Sequence, residues 1–214
     1  MDEAKWERWG ALAGVVFVVL AVIGGFIGGS PPKTSDSAEK IAKYFQDNQG
    51  NLKVGAYLTG LALVPLLWFL GTLFGRLRRA EGGAGRVSGI ALTGGIAAAA
   101  IAMVGNGLVA YSALHPEASA GSYKISSVLL GYAAFAIAVL VAATSIVVLR
   151  TGLLPSWFGW AGEALAIAWL IGAASVSTES TAIFTIGFVV FLLWAVWLVV
   201  LSVLLYRTQQ TATS

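Results

Sequence analysis

Two apolar stretches face each other across one short basic turn, and this hairpin limits what the chain can fold into. The turn reads Arg76-Leu77-Arg78-Arg79-Ala80-Glu81-Gly82-Gly83-Ala84-Gly85-Arg86. Each flank is long enough to cross a bilayer as a helix, which takes about twenty apolar residues. Four arginines in one short loop resist transfer across a membrane, so the loop is expected on the cytoplasmic side. That assignment orients every other crossing.

The rest of the chain follows the same grammar. Apolar spans are predicted over about 10–29, 54–75, 87–112, 125–149, 157–176 and 181–206. Charged residues make up only 11% of the chain, against about a quarter in soluble domains. A surface that poor in charge needs lipid as its solvent. The expected fold is therefore an all-α membrane protein, a bundle of six transmembrane helices in a single membrane domain covering 1–214. All seven arginines (Arg8, Arg76, Arg78, Arg79, Arg86, Arg150 and Arg207) fall on one side of this arrangement. Lys33, Lys40, Lys43, Lys53 and Lys124 fall on the other, matched there by five acids. Both termini are then expected in the cytoplasm.

The first span reads as a membrane helix rather than a cleaved signal. Asp2, Glu3 and Glu7 outweigh Lys5 and Arg8 in the short head that a signal would need positive. Trp6 and Trp9 suit an interfacial anchor. Gly10/Gly14, Gly24/Gly28 and Gly25/Gly29 are spaced for close helix approach. Pro31-Pro32 ends the span, because proline lacks the amide donor that a helix needs. Beyond it a short amphipathic helix is predicted over 37–48, with Ile41, Tyr44 and Phe45 as its apolar stripe. Asp36 and Glu39 have the spacing of a capping box. This helix would either rest on the end of the bundle or act as a lid.

Pro65 sits near the middle of the second span, where it should free the Leu61 carbonyl and kink the helix. The fourth span should cap at Arg150, the fifth should start after Ser156, and a tight turn is expected over Ser177–Ser180. Lys53, Leu58, Gly60 and Arg79 recur as Lys124, Leu129, Gly131 and Arg150 at a constant offset, a weak internal echo.

Several chemistries are excluded outright. The chain has no cysteine and one histidine, His115, so disulfides, thiolate metal sites and multi-histidine zinc sites cannot form within it. Two-carboxylate, Ser-His and P-loop patterns are missing. No cofactor is implied, and the basic residues sit at membrane ends rather than on a nucleic-acid face.

What remains are polar and aromatic residues inside the spans. Thr72, Thr93, Thr144, Ser145, Glu163 and Ser202 fall in one layer, about 6 to 12 Å from the midplane on the arginine side. Thr59, Asn106 and Tyr132 fall in a layer about 8 to 9 Å on the other side. Serines and threonines in membrane helices are expected to bond back to their own backbone. Asn106 is expected to bond across helices. Glu163 is the ionisable residue within a span and a functional candidate on that ground. It should either pair, with Arg150 as the nearest cation in sequence, or take up a proton. Trp68, Trp169, Trp194 and Trp197 lie deeper than tryptophan usually does, and together they suggest an apolar pocket for a lipid, quinone or carotenoid.

Ser30-Pro31-Pro32, Ala42-Lys43-Tyr44-Phe45, Gly55-Ala56-Tyr57-Leu58, the turn Ala80 to Arg86, and Arg150-Thr151-Gly152-Leu153-Leu154-Pro155-Ser156-Trp157 occur in a recognisable order. In these features the chain resembles an uncharacterised family of small multi-pass membrane proteins common in actinobacteria. The resemblance implies a plasma-membrane location and carries over no catalytic residue. The leading expectation is a structural or accessory protein that binds membrane lipid or a membrane partner. A small transporter or channel with a proton-linked step at Glu163 is the alternative, and an enzyme ranks last.

Overall fold

The computed structural model describes residues 3–178 and 181–208, and the side chains of 8–178 and 185–208. Among the described residues all regular structure is helical. The chain runs α1 (Glu3–Phe26), α2 (Ala38–Asp47), α3 (Gln49–Glu81), α4 (Arg86–Leu114), α5 (Ser119–Thr151), α6 (Ser156–Gly172) and α7 (Thr181–Thr208). Short 3-10 turns, Pro116–Ala118 and Ala173–Ser177, precede α5 and follow α6. Six helices, all but α2, are long and apolar enough to cross a membrane. The turn read over Ser177–Ser180 extends beyond the described residues, and so does the Trp6 side chain.

The long helices pack in chain order as a closed ring: α1 on α3, α3 on α4, α4 on α5, α5 on α6, α6 on α7, and α7 back on α1. Phe69, Leu70, Leu73, Val141, Val147, Leu198, Leu201 and Leu205 fill its core. Small residues set the spacing. Gly10 and Gly14 of α1 meet Thr72, Phe69 and Ser202, and Gly24 lies against Gly55, while Gly25 and Gly29 face open space. A Cβ on Gly55 would come within 2.5 Å of the Gly24 carbonyl oxygen, so the α1–α3 approach is backbone on backbone. α3 runs unbroken through Pro65. α3 and α5 are both 33 residues long, yet Gly60 faces open space and Gly131 packs on Val176. The internal echo therefore does not extend to packing.

The basic turn owes its glycines to backbone shape. Gly82, Gly83 and Gly85 all have positive φ, a region that L side chains avoid. Gly85 leaves α4 without a capping side chain, and Glu81 supplies the cap from the end of α3. Its carboxylate accepts from the Val87 amide (3.0 Å), the Ser88 amide (2.8 Å) and the Ser88 hydroxyl (2.5 Å). Negative charge at a helix N-terminus is favourable, so one side chain closes the turn and starts the next span.

At the opposite end, the lysine end, α2 rests on α5, α4 and α3. Ile41 and Phe45 are fully buried against Ala113 and Tyr123. The Tyr123 hydroxyl donates to the Pro32 carbonyl (2.7 Å) and the Tyr44 hydroxyl to the Gly28 carbonyl (3.1 Å). These two bonds tie the α1–α2 connection down over the bundle. The capping-box expectation is corrected: Ser37 is the N-cap, accepting from the Lys40 amide (3.3 Å). Asp36 instead accepts from the Lys33 amide (2.8 Å) and pairs with the Lys40 ammonium (2.9 Å). Lys40 first, then the Lys33 amide, hold its carboxyl below the usual carboxylate range. Whatever stability this contact contributes is present above the ordinary aspartate pKa and is lost as pH falls through the lowered one.

Candidate functional site

Glu163 lies on α6, two turns from its start, at the edge of the face that packs on α5 and α7. Gly162 beside it is the point of closest approach. A Cβ there would collide with the Ser145 hydroxyl of α5 and lie 3.1 Å from the Trp197 Nε1 of α7. Glycine at 162 thus lets a hydroxyl and an indole N–H from two other helices converge next to the carboxyl-bearing residue. Glu163 Oε1 is itself buried and has no hydrogen-bond partner. The pairing with Arg150 considered from sequence does not form: no ion pair joins the two residues. Arg150 instead lies where its charge acts on Glu81, at the basic turn.

Three of the four deep tryptophans share this seam. Trp169, Trp194 and Trp197 are 7%, 6% and 6% exposed. Trp194 meets Trp169 edge-on at 6.1 Å between ring centroids and Phe17 at 5.8 Å, and Trp197 stacks on Phe158 at 5.0 Å. The rings pack against one another and against phenylalanines. Two open concavities of about 370 and 310 Å³ lie beside α2 at the lysine end, and none of these rings lines them.

Trp68 does not belong to the group and is corrected. It is 50% exposed, on the face of α3 opposite the buried stripe Leu66, Phe69, Leu70, Leu73 and Leu77. One residue step turns a helix by about 100°, so depth along the chain says nothing about which way a ring points.

Asn106 is also corrected. Its side-chain amide donates to the Ala102 carbonyl of its own helix (2.8 Å) rather than across helices. Back-bonding accounts for Thr59, Thr72, Thr93 and Ser202 as expected. Thr144 and Ser145 break that rule. Both are fully buried, and neither hydroxyl has a partner. Six unsatisfied atoms thus concentrate on α5, α6 and α7: the Thr144 and Ser145 hydroxyls, Glu163 Oε1 and the Nε1 atoms of Trp169, Trp194 and Trp197. Buried polar atoms are normally satisfied, and of these the Ser145 hydroxyl and Trp197 Nε1 meet at Gly162, next to Glu163. The sequence carried one sign of it, a glycine directly before an intramembrane glutamate.

The set is suited to hydrogen bonding or to holding a proton. No group of three or more His, Asp or Glu residues that could hold a metal ion occurs among the described residues. Comparison with family models, with curated proteins and with solved structures found no match.

Proposed function

We propose that this chain is a structural or accessory protein of the plasma membrane, a member of the small multi-pass family it resembles, with both termini cytoplasmic. In this reading it binds a membrane partner that presents a hydrogen-bond donor to Glu163. The observation that carries it is the buried, partnerless Glu163 Oε1. A carboxyl at membrane depth is expensive unless paired, and among the described residues no cation pairs with it. The donor then comes from another molecule. The exposed face of α6 beside it, with Trp160, Ile167, Leu170 and Ile171, offers apolar surface for a helix to lie along.

A photo-crosslinking side chain at Ile167 in native membranes tests this reading. One discrete adduct should form, and Glu163→Leu should reduce it by about tenfold, as loss of a charge-assisted bond would. An adduct of equal yield in both backgrounds would contradict it. For the topology, a reporter active only outside the cytoplasm should stay silent when fused to Ser214. Strong activity there would reverse the orientation.

The convergence of Ser145 and Trp197 at Gly162 favours a second reading, a small transporter or channel with a proton-linked step at Glu163. Glu163→Gln keeps the shape and removes the proton site. On this reading the variant keeps its thermal stability and loses pH-dependent uptake in proteoliposomes.

A further inference from the structure

The turn between α3 and α4 gathers positive charge and spends its single acid on a backbone cap. Glu81 is that acid, and the Val87 amide, the Ser88 amide and the Ser88 hydroxyl occupy its carboxylate. Arg78 in the last turn of α3, Arg86 at the first residue of α4 and Arg150 in the last turn of α5 are all exposed. No carboxylate among the described residues pairs with any of the three.

Packing brings these arginines to one corner. A Cβ on Gly85 would lie 2.8 Å from Arg78 Cγ and 3.6 Å from Arg78 Nε, so the Arg78 side chain crosses the turn to the residue before Arg86. Gly94 of α4 packs on Ala136 and Leu140 of α5, and Gly105 on Ser126 and Leu130. That antiparallel register carries the end of α5 level with the turn, where the Arg150 charge acts on Glu81.

Helix dipoles account for Arg78 and Arg150, which sit at C-termini. They do not account for Arg86, because a cation at a helix N-terminus meets the positive end of the dipole. Three like charges at one corner repel one another unless an anion lies among them. Depth indicates which kind of anion. The Arg78 guanidinium carbon is 6.0 Å from the ring centroid of Phe74, one turn back along α3 toward its membrane-spanning part. Trp157, at the start of α6 just after the α5 end, is 59% exposed, as an interfacial indole would be. The corner therefore lies at the level of lipid headgroups.

We propose that Arg78, Arg86 and Arg150 form an open site for the headgroup phosphate of an anionic membrane lipid, at the corner between α3, α4 and α5. Guanidinium forks bind phosphate oxygens in pairs. All three side chains are exposed, so a headgroup reaches them along the membrane surface, as at other juxtamembrane basic clusters. The site is independent of the Glu163 reading, because none of its residues is on α6.

The test uses the full chain in detergent, titrated with phosphatidylglycerol, phosphatidylcholine, inorganic phosphate or a soluble oligoglutamate peptide and read by native mass spectrometry. One phosphatidylglycerol should bind saturably, with phosphatidylcholine at least about tenfold weaker. Inorganic phosphate or oligoglutamate binding as tightly as phosphatidylglycerol would show a site for soluble anions or acidic protein and overturn the lipid assignment. Arg78→Gln, Arg86→Gln and Arg150→Gln should each weaken phosphatidylglycerol by about fivefold, and the triple variant by about a hundredfold. Arg207→Gln removes the same charge from the exposed end of α7, a helix that packs on α1 and α6, and should leave binding close to wild type. Equal losses in Arg86→Gln and Arg207→Gln would reduce the effect to general surface charge and overturn the site. So would undiminished binding in the triple variant.

Discussion

Leucine in place of Gly94 should abolish the α4–α5 interface. A Cβ at Gly94 would lie 2.8 Å from the Leu140 amide nitrogen and 3.0 Å from the Ala136 carbonyl oxygen. Both are backbone atoms of a helix and cannot rotate aside. Overpacking that side chains can absorb costs about 1–3 kcal/mol, and a clash with backbone costs more because a whole helix must shift. Gly107→Leu is the control on the same helix, since nothing lies within 4 Å of its Cβ position. In detergent, Gly94→Leu should give a large fall in Tm or no folded protein, and Gly107→Leu should melt near wild type. Equal behaviour of the two would mean that α4 is not held by this contact.

Phe45→Ala should detach α2 from the bundle. Phe45 is 1% exposed and packs edge-on against Tyr123 at 5.6 Å. Truncating a buried phenylalanine costs about 3–5 kcal/mol. α2 is only ten residues long, too short to persist as a helix alone, so the loss should appear locally. Amide exchange over residues 38–47 should become fast while α4 and α5 stay protected. Lys43→Ala, on the water-facing side, should leave protection unchanged. Uniform loss of protection throughout the chain would show that α2 is an integral part of the core rather than a cap on it.

The contrast between α2 and the spans explains what could be read from the residues alone. α2 borders water, so its apolar residues mark its inner face, and Ile41 and Phe45 are buried as their spacing predicts. The six long helices border lipid. There the outward and inward faces are equally apolar, and periodicity carries no azimuth. Span existence and order were legible, but Trp68 could not be told from Trp169 by depth. Helix ends were longer than the apolar runs, as at Gln49 and Ser119, because helices continue through polar turns that hydropathy trims away. Asn106 and Asp36 depart from the sequence expectation for a common reason. Short polar side chains settle on the nearest backbone group, and sequence spacing does not show which group that is. The seam at Gly162 was half visible: Glu163 stood out by charge, whereas Ser145 and Trp197 reach it only through packing of three helices.

We propose that Glu163 Oε1, without a partner among the described residues, acquires one in the native membrane. An apolar carbodiimide, which reaches and modifies unpaired carboxyls within a bilayer, tests it directly. The account predicts modification at Glu163 in the purified chain, read by peptide mass, and marked protection of the same residue in native membranes. Protection in the purified chain would place the partner within the protein, and equal modification in both settings would show that no outside partner exists.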